Sequence, residues 1–144
     1  MKPKAIIFDL DGTLCFSYPD RPEKYTWNEK STGLFESVVS KLDKWTCIII
    51  LTGRKQKEYK EITEKWLEKQ YYPYDKLIMN IHSCPEKNHI FKLCELYKLQ
   101  QEYDIVMMYD DNPLVWDVCA KLWILLLQVH YPIQSSIDSY RKCV

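Results

Sequence analysis

Apolar positions along this chain follow two alternating rhythms. Five short apolar runs, Ala5–Phe8, Cys47–Leu51, Leu77–Ile81, Ile105–Tyr109 and Ile124–Val129, broken only by Asn80 and Gln128, read as buried strands. Between them, apolar residues recur three and four apart in stretches rich in Lys and Glu. These are Leu34, Val38, Val39 and Leu42; Tyr59, Ile62, Trp66 and Leu67; Ile90, Leu93, Cys94 and Tyr97; and Val115, Val118, Cys119 and Leu122. Such spacing lines one face of a helix. Strands alternating with helices predict an α/β fold, with a mainly parallel five-stranded sheet covered on both sides. Local signals agree. Ser83-Cys84-Pro85-Glu86 is a capping box with proline in the first turn, and Asn112-Pro113 is a cap followed by proline at the first helical position. Residues 15–32 have no period, are rich in Pro, Tyr and charge, and read as a flap.

The strands end on polar residues. The first runs into Asp9 and Asp11, followed by Gly12 and Thr13. Residues i and i+2 of a strand point the same way, so two carboxylates share one face. Like charges so placed need a cation in front of them, and hard oxygen ligands suit Mg²⁺. The second strand ends Thr52-Gly53-Arg54, a turn whose hydroxyl, backbone N–H groups and guanidinium suit phosphate oxygens. The fourth ends Asp110-Asp111-Asn112 and repeats the acidic pattern. Asp110 is the expected direct metal ligand, with Asp111 a ligand, a residue that orients the ligands, or a helix cap. Lys87, in the first turn after the Ser83 cap, opposes the helix dipole by about 0.3–1 kcal/mol. A local rule broken there points to function. Lys92 and Lys98 read as solvated residues.

Composition narrows the class. The 144 residues suffice for one domain, 1–144, with residues 131–144 as a C-terminal tail. A formal net charge of zero argues against a protein that coats nucleic acid, but not against one that reads a single end. Six cysteines without a Cys-x-x-Cys pair predict reduced thiols in the cytoplasm rather than a disulfide framework. No signal peptide is expected, and the longest apolar run, residues 122–129, is too short to span a bilayer.

Residues 5–14, Ala-Ile-Ile-Phe-Asp-Leu-Asp-Gly-Thr-Leu, resemble the first signature of the haloacid dehalogenase superfamily, in its phosphatase version because of Thr13. The resemblance spans roughly residues 4–130 and implies a three-layer Rossmann-like fold. It makes Asp9 the nucleophile that forms an aspartyl-phosphate, and Asp11 the acid and base. Thr52 becomes a phosphate-binding hydroxyl, with Gly53 and Arg54 beside it, and Lys87 the lysine that neutralises Asp9 and the phosphoryl group. Mg²⁺ is the implied cofactor, held by Asp9, the main-chain carbonyl of Asp11, Asp110 and Asp111. Large caps in this superfamily are inserted where this chain has room only for a small flap, so an open site is expected.

Within the superfamily the chain is similar to the phosphatase domain of phage-type polynucleotide kinase/phosphatase. That likeness implies a nucleic-acid 3′-phosphate as substrate. The chain departs from the phage-type pattern at Asn112 and at Asn80-Ile81-His82-Ser83, where arginines are expected. The departures leave the chemistry intact and bear on the substrate. Arg21, Lys24 and Trp27, interleaved with Phe16, Tyr18 and Tyr25 in the flap, suit a terminal nucleotide, or equally a small satellite core with a solvated rim. The alternatives are a phosphatase of a small sugar phosphate or mononucleotide, and a catalytically silent interaction module. No membrane partner is expected, and the sequence leaves the oligomeric state open.

Overall fold

A computed structural model describes residues 1–16, 29–82 and 88–129. The order of elements is β1 (Lys4–Phe8), α1 (Leu34–Val39), β2 (Cys47–Lys55), α2 (Gln56–Lys69), β3 (Lys76–Asn80), α3 (Asn88–Glu102), β4 (Asp104–Asp110), α4 (Pro113–Lys121) and β5 (Leu126–Gln128). The five strands form one parallel sheet in the order β3-β2-β1-β4-β5. All five expected strands are present, though β5 is shorter than its apolar run. Asn112 caps α4 as its sequence signals: its side chain accepts from Leu114 N at 3.0 Å, with Pro113 next. The Ser83 capping box lies outside the described residues.

Period-two alternation along β1 divides the core. Ala5 and Ile7 face one way and pack with Ile49, Leu51, Phe91, Leu96, Met108 and Val115, beneath α3 and α4. Ile6 and Phe8 face the other way and pack with Ile48, Ile50, Phe35, Trp66 and Leu67, beneath α1 and α2. Helices therefore cover both faces of β1 and β2, which is why residues 5–8 and 47–51 of these strands are all apolar. Full burial of a side chain such as Phe8 or Ile7 contributes about 1.5–3 kcal/mol.

Chain direction across the sheet reverses beside β1. The chain moves outward from β1 through β2 to β3, then crosses back to β4 on the other side of β1. Loops at the carboxyl ends of β1 and β4 consequently diverge and leave a crevice, where open α/β sheets bind ligands. The flap departs from this edge. Its two feet pair, with Phe16 N donating to Lys30 O at 3.0 Å and Thr32 N to Leu14 O at 3.0 Å. The flap residues Arg21, Lys24 and Trp27 lie outside the described residues, as do Tyr18, Tyr25 and the tail. Among the described residues, no helix is long and apolar enough to cross a membrane.

Candidate active site

The ladder between β1 and β4 continues one residue past β1, Asp9 N donating to Tyr109 O at 2.8 Å. This fixes the Asp9 backbone in line with the strand. The chain then turns: Thr13 N and Leu14 N both donate to Leu10 O, and Gly12 takes a φ of +75°. The turn brings Thr13 Oγ1 to 3.1 Å from Asp9 Oδ2, to which it donates. On its other side, Asp9 Oδ1 accepts from Lys92 Nζ at 2.7 Å. Lys92 Nζ also donates to Asp110 Oδ2 at 2.6 Å, so one ammonium bridges the ends of β1 and β4. Asp110 Oδ1 accepts from Asn112 N at 2.9 Å.

Lys92 corrects the sequence reading. It is fully buried, not solvated. Lys87, expected to be the lysine facing Asp9, lies outside the described residues, and Lys92 makes that contact from α3. The cause is the rotation of α3. Its buried face is Phe91, Lys92, Leu96 and Leu99, whereas Ile90 and Tyr97 of the expected face are exposed. Lys92 stands one helical turn from Leu96, so it sits on the apolar stripe and its head reaches the strand ends. The missed signal was a lone lysine at helical spacing within apolar residues. A buried ammonium is tolerable only when paired. Burial works against the charge on Lys92, but the carboxylates of Asp9 and Asp110 outweigh it, and its pKa is raised. Asp9 is held well above the usual carboxylate range, first by burial and then by the charge of Asp110, with Lys92 pulling the other way.

A second buried pair lies alongside. Arg54 Nη2 donates to Asp11 Oδ1 at 2.6 Å, and Nε lies 3.1 and 3.0 Å from Oδ1 and Oδ2. Arg54 Nη1 donates to Thr63 Oγ1 on α2 at 3.1 Å. The guanidinium expected to read phosphate is thus occupied in orienting the Asp11 carboxylate. The strand end carrying it is bulged. The β2–β3 register shifts between Thr52 and Lys55, β2 runs on to Lys55, and the expected open turn is a continuation of the strand. Thr52 is buried, and its Oγ1 accepts from Arg54 N at 3.2 Å.

Asp9, Asp110 and Asp111 bring carboxylate oxygens within 4.8 Å of one another. Burial raises the pKa of Asp111. A Cβ at position 12 would stand 2.2 Å from Asp111 Oδ2, so Gly12 supplies both the left-handed turn and the space for this carboxylate. The donor set is all oxygen, as a hard divalent cation requires. Among the described residues four buried or half-buried carboxylates, Asp9, Asp11, Asp110 and Asp111, face two cations, Lys92 and Arg54. The residual negative charge matches one divalent ion, so the residues fit Mg²⁺. The Asp11 carboxylate stands outside this cluster, turned to Arg54. Asp9, Asp11, Arg54 and Asp111 open onto a cavity of about 480 Å³, which Gly53 and Asn88 also line.

The family model described as "Polynucleotide kinase PNKP phosphatase domain" matches residues 3–132. Similar solved structures include two of Pnkp1/Rnl/Hen1 complexes. One, a structure of the Pnkp1/Rnl/Hen1 RNA repair complex, contains a chain of 28% identity, with a TM-score of 0.76 over 90% of this chain and 43% of that one. The other, a structure of the Pnkp1/Rnl/Hen1 complex, matches at 28% identity and TM-score 0.77, over 92% of this chain and 47% of that one. This chain therefore spans less than half the length of either structural relative. No curated protein matches it.

Proposed function

Because the chain belongs to the family of polynucleotide kinase phosphatase domains, we propose that it is a Mg²⁺-dependent phosphomonoesterase working through an aspartyl-phosphate on 3′-phosphate ends of nucleic acid. The observation that carries this reading is the hold on Asp9. Its two oxygens are fixed by Lys92 and Thr13, beside an acidic cluster and facing a cavity. In the first half-reaction an Asp9 carboxylate oxygen forms a bond to phosphorus. The bond from phosphorus to the sugar oxygen breaks, and Asp11, which takes up a proton from solvent before this step, gives that proton to the sugar oxygen. In the second half, water attacks phosphorus, its proton passes to Asp11, and inorganic phosphate leaves with Asp9 restored as a carboxylate. Lys92 offsets the charge that accumulates around Asp9, and Thr52 and the backbone beside Gly53 receive phosphate oxygens. Asp9, Asp110, Asp111 and the Asp11 carbonyl would hold Mg²⁺, which supplies Lewis-acid polarisation of the phosphoryl group when bound.

A substrate panel tests the proposal. Hydrolysis requires Mg²⁺ and is lost with a chelator. The kcat/KM for a 3′-phosphorylated oligonucleotide exceeds that for the matched 3′-mononucleotide, for sugar phosphates and for an aryl phosphate. If the mononucleotide or a sugar phosphate is the better substrate, the polynucleotide reading fails. No turnover of any of them with several divalent metals would make the domain an interaction module. One of the similar chains belongs to the Pnkp1/Rnl/Hen1 RNA repair complex, which supports a polymer end as the substrate.

The Arg54 clamp has its own expected result. Removing one partner of a buried ion pair costs about 3–5 kcal/mol, so Arg54→Ala is expected to destabilise the fold as well as slow the reaction. Thr63→Val is gentler. It removes the hydroxyl behind Arg54 at a cost of about 1 kcal/mol. We expect it to lower kcat several-fold and leave KM less changed, because Asp11 loses its orientation. An unchanged kcat would show that Arg54 holds Asp11 without help from Thr63.

A further inference from the structure

We propose that the side chain of Asn88 reads a hydroxyl on the sugar next to the scissile phosphate, so that the protein prefers 3′-phosphorylated RNA ends to DNA ends; this rests on the polynucleotide reading above. Asn88 opens α3 and lines the same cavity as Asp9, Asp11 and Asp111. Its Oδ1 is buried and has no hydrogen-bond partner among the described residues. The amide is not idle by accident of mobility, since it lies across the backbone of position 53. A Cβ built there would stand 2.0 Å from Asn88 Oδ1, 2.4 Å from Cγ and 2.6 Å from Nδ2. All three amide atoms converge on one point, so the amide is laid over the Gly53 Cα. Gly53 has no left-handed φ to explain it; it is glycine because this amide needs the space.

An amide oxygen accepts and cannot donate. The group that completes Oδ1 must therefore bring an N–H or O–H. A phosphate monoester dianion brings only acceptors, so phosphate is not the partner. A ribose bearing a 3′-phosphate carries a hydroxyl on the adjacent carbon, and a deoxyribose does not. This hydroxyl is the feature by which a protein separates RNA from DNA at a given position. A site that leaves a buried polar atom unpaired with the wrong substrate discriminates against it. Asn88 is thus a specificity-determining residue beside the catalytic groups.

The test compares three 3′-phosphorylated oligonucleotides of one sequence: all RNA, all DNA, and DNA with a single ribose at the phosphorylated end. We expect the wild type to favour RNA over DNA by about tenfold in kcat/KM, equivalent to about 1.4 kcal/mol. The single terminal ribose should recover most of that preference. Asn88→Ala should bring the ratio to within about twofold, chiefly by loss on RNA. Asn88→Asp keeps an acceptor in place and should retain a preference for ribose at a lower rate. Equal rates on RNA and DNA by the wild type would overturn the inference while leaving the polynucleotide reading intact. So would an Asn88→Ala variant that slows both equally, since the amide then serves phosphate or an ordered water. If no oligonucleotide is turned over while an aryl phosphate is, the polynucleotide reading fails and this inference with it.

Discussion

Asp9→Asn is expected to lower turnover of an aryl phosphate or a 3′-phosphorylated oligonucleotide by at least about a thousandfold, with the thermal unfolding midpoint unchanged or raised. The two effects separate because the same burial acts on them differently. Asp9 is 4% exposed, and burial together with Asp110 disfavours its charge. Asparagine keeps the shape and one acceptor oxygen for Lys92 or Thr13, and it removes a charge that folding must desolvate. Lys92 retains Asp110 as its ion-pair partner at 2.6 Å. The variant nevertheless has no carboxylate to bond to phosphorus. Steady-state hydrolysis and circular-dichroism melting measure the two sides. Wild-type-like turnover would remove Asp9 as the nucleophile. A large fall in the midpoint would mean that the carboxylate is first a structural partner of Lys92.

What the sequence made legible follows how local each signal is. The strand-end acidic pairs are contiguous, so Asp9, Asp11, Asp110 and Asp111 could be placed at one sheet edge by counting strands and helices. The Asn112-Pro113 cap is equally local and forms as read. Features that depend on pairing across the sheet were not legible. Arg54 meets Asp11 across 43 positions of chain. Seen alone, a guanidinium after a strand end looks like a phosphate ligand, and only the folded edge shows that a carboxylate already occupies it. Lys92 was hidden by a choice of helix face. Each residue rotates a helix by about 100°, so taking Ile90, Leu93, Cys94 and Tyr97 as the stripe turned Lys92 outward. The observed stripe through Phe91, Leu96 and Leu99 turns it inward. Gly12 and Gly53 could be read as turn residues, but their crowding by Asp111 and Asn88 could not.

Lys92→Met carries the second large expected effect, and it combines catalysis with stability. The ammonium lies 2.7 Å from Asp9 Oδ1 and 2.6 Å from Asp110 Oδ2, with no exposure to solvent. Methionine fills much of the stem's volume but leaves two buried carboxylates facing each other without a cation. Breaking a buried pair in this way costs about 3–5 kcal/mol. Part of that is recoverable, since a divalent ion binding to the folded state stabilises it by mass action. We therefore expect Mg²⁺ to raise the melting midpoint of Lys92→Met by more than that of the wild type. Turnover should still fall by at least about a thousandfold. The metal can restore charge balance between Asp9 and Asp110, but it does not replace a donor aimed at Asp9 from α3 as charge builds on the phosphoryl oxygens. Lys92→Arg should not rescue the rate, because a planar fork is larger than an ammonium and the site is closed around Nζ. Melting curves with and without Mg²⁺, set beside kcat for both variants, decide the matter. If Lys92→Met keeps turnover within about tenfold of the wild type, Lys92 is a structural counter-ion, and the neutralising role returns to Lys87.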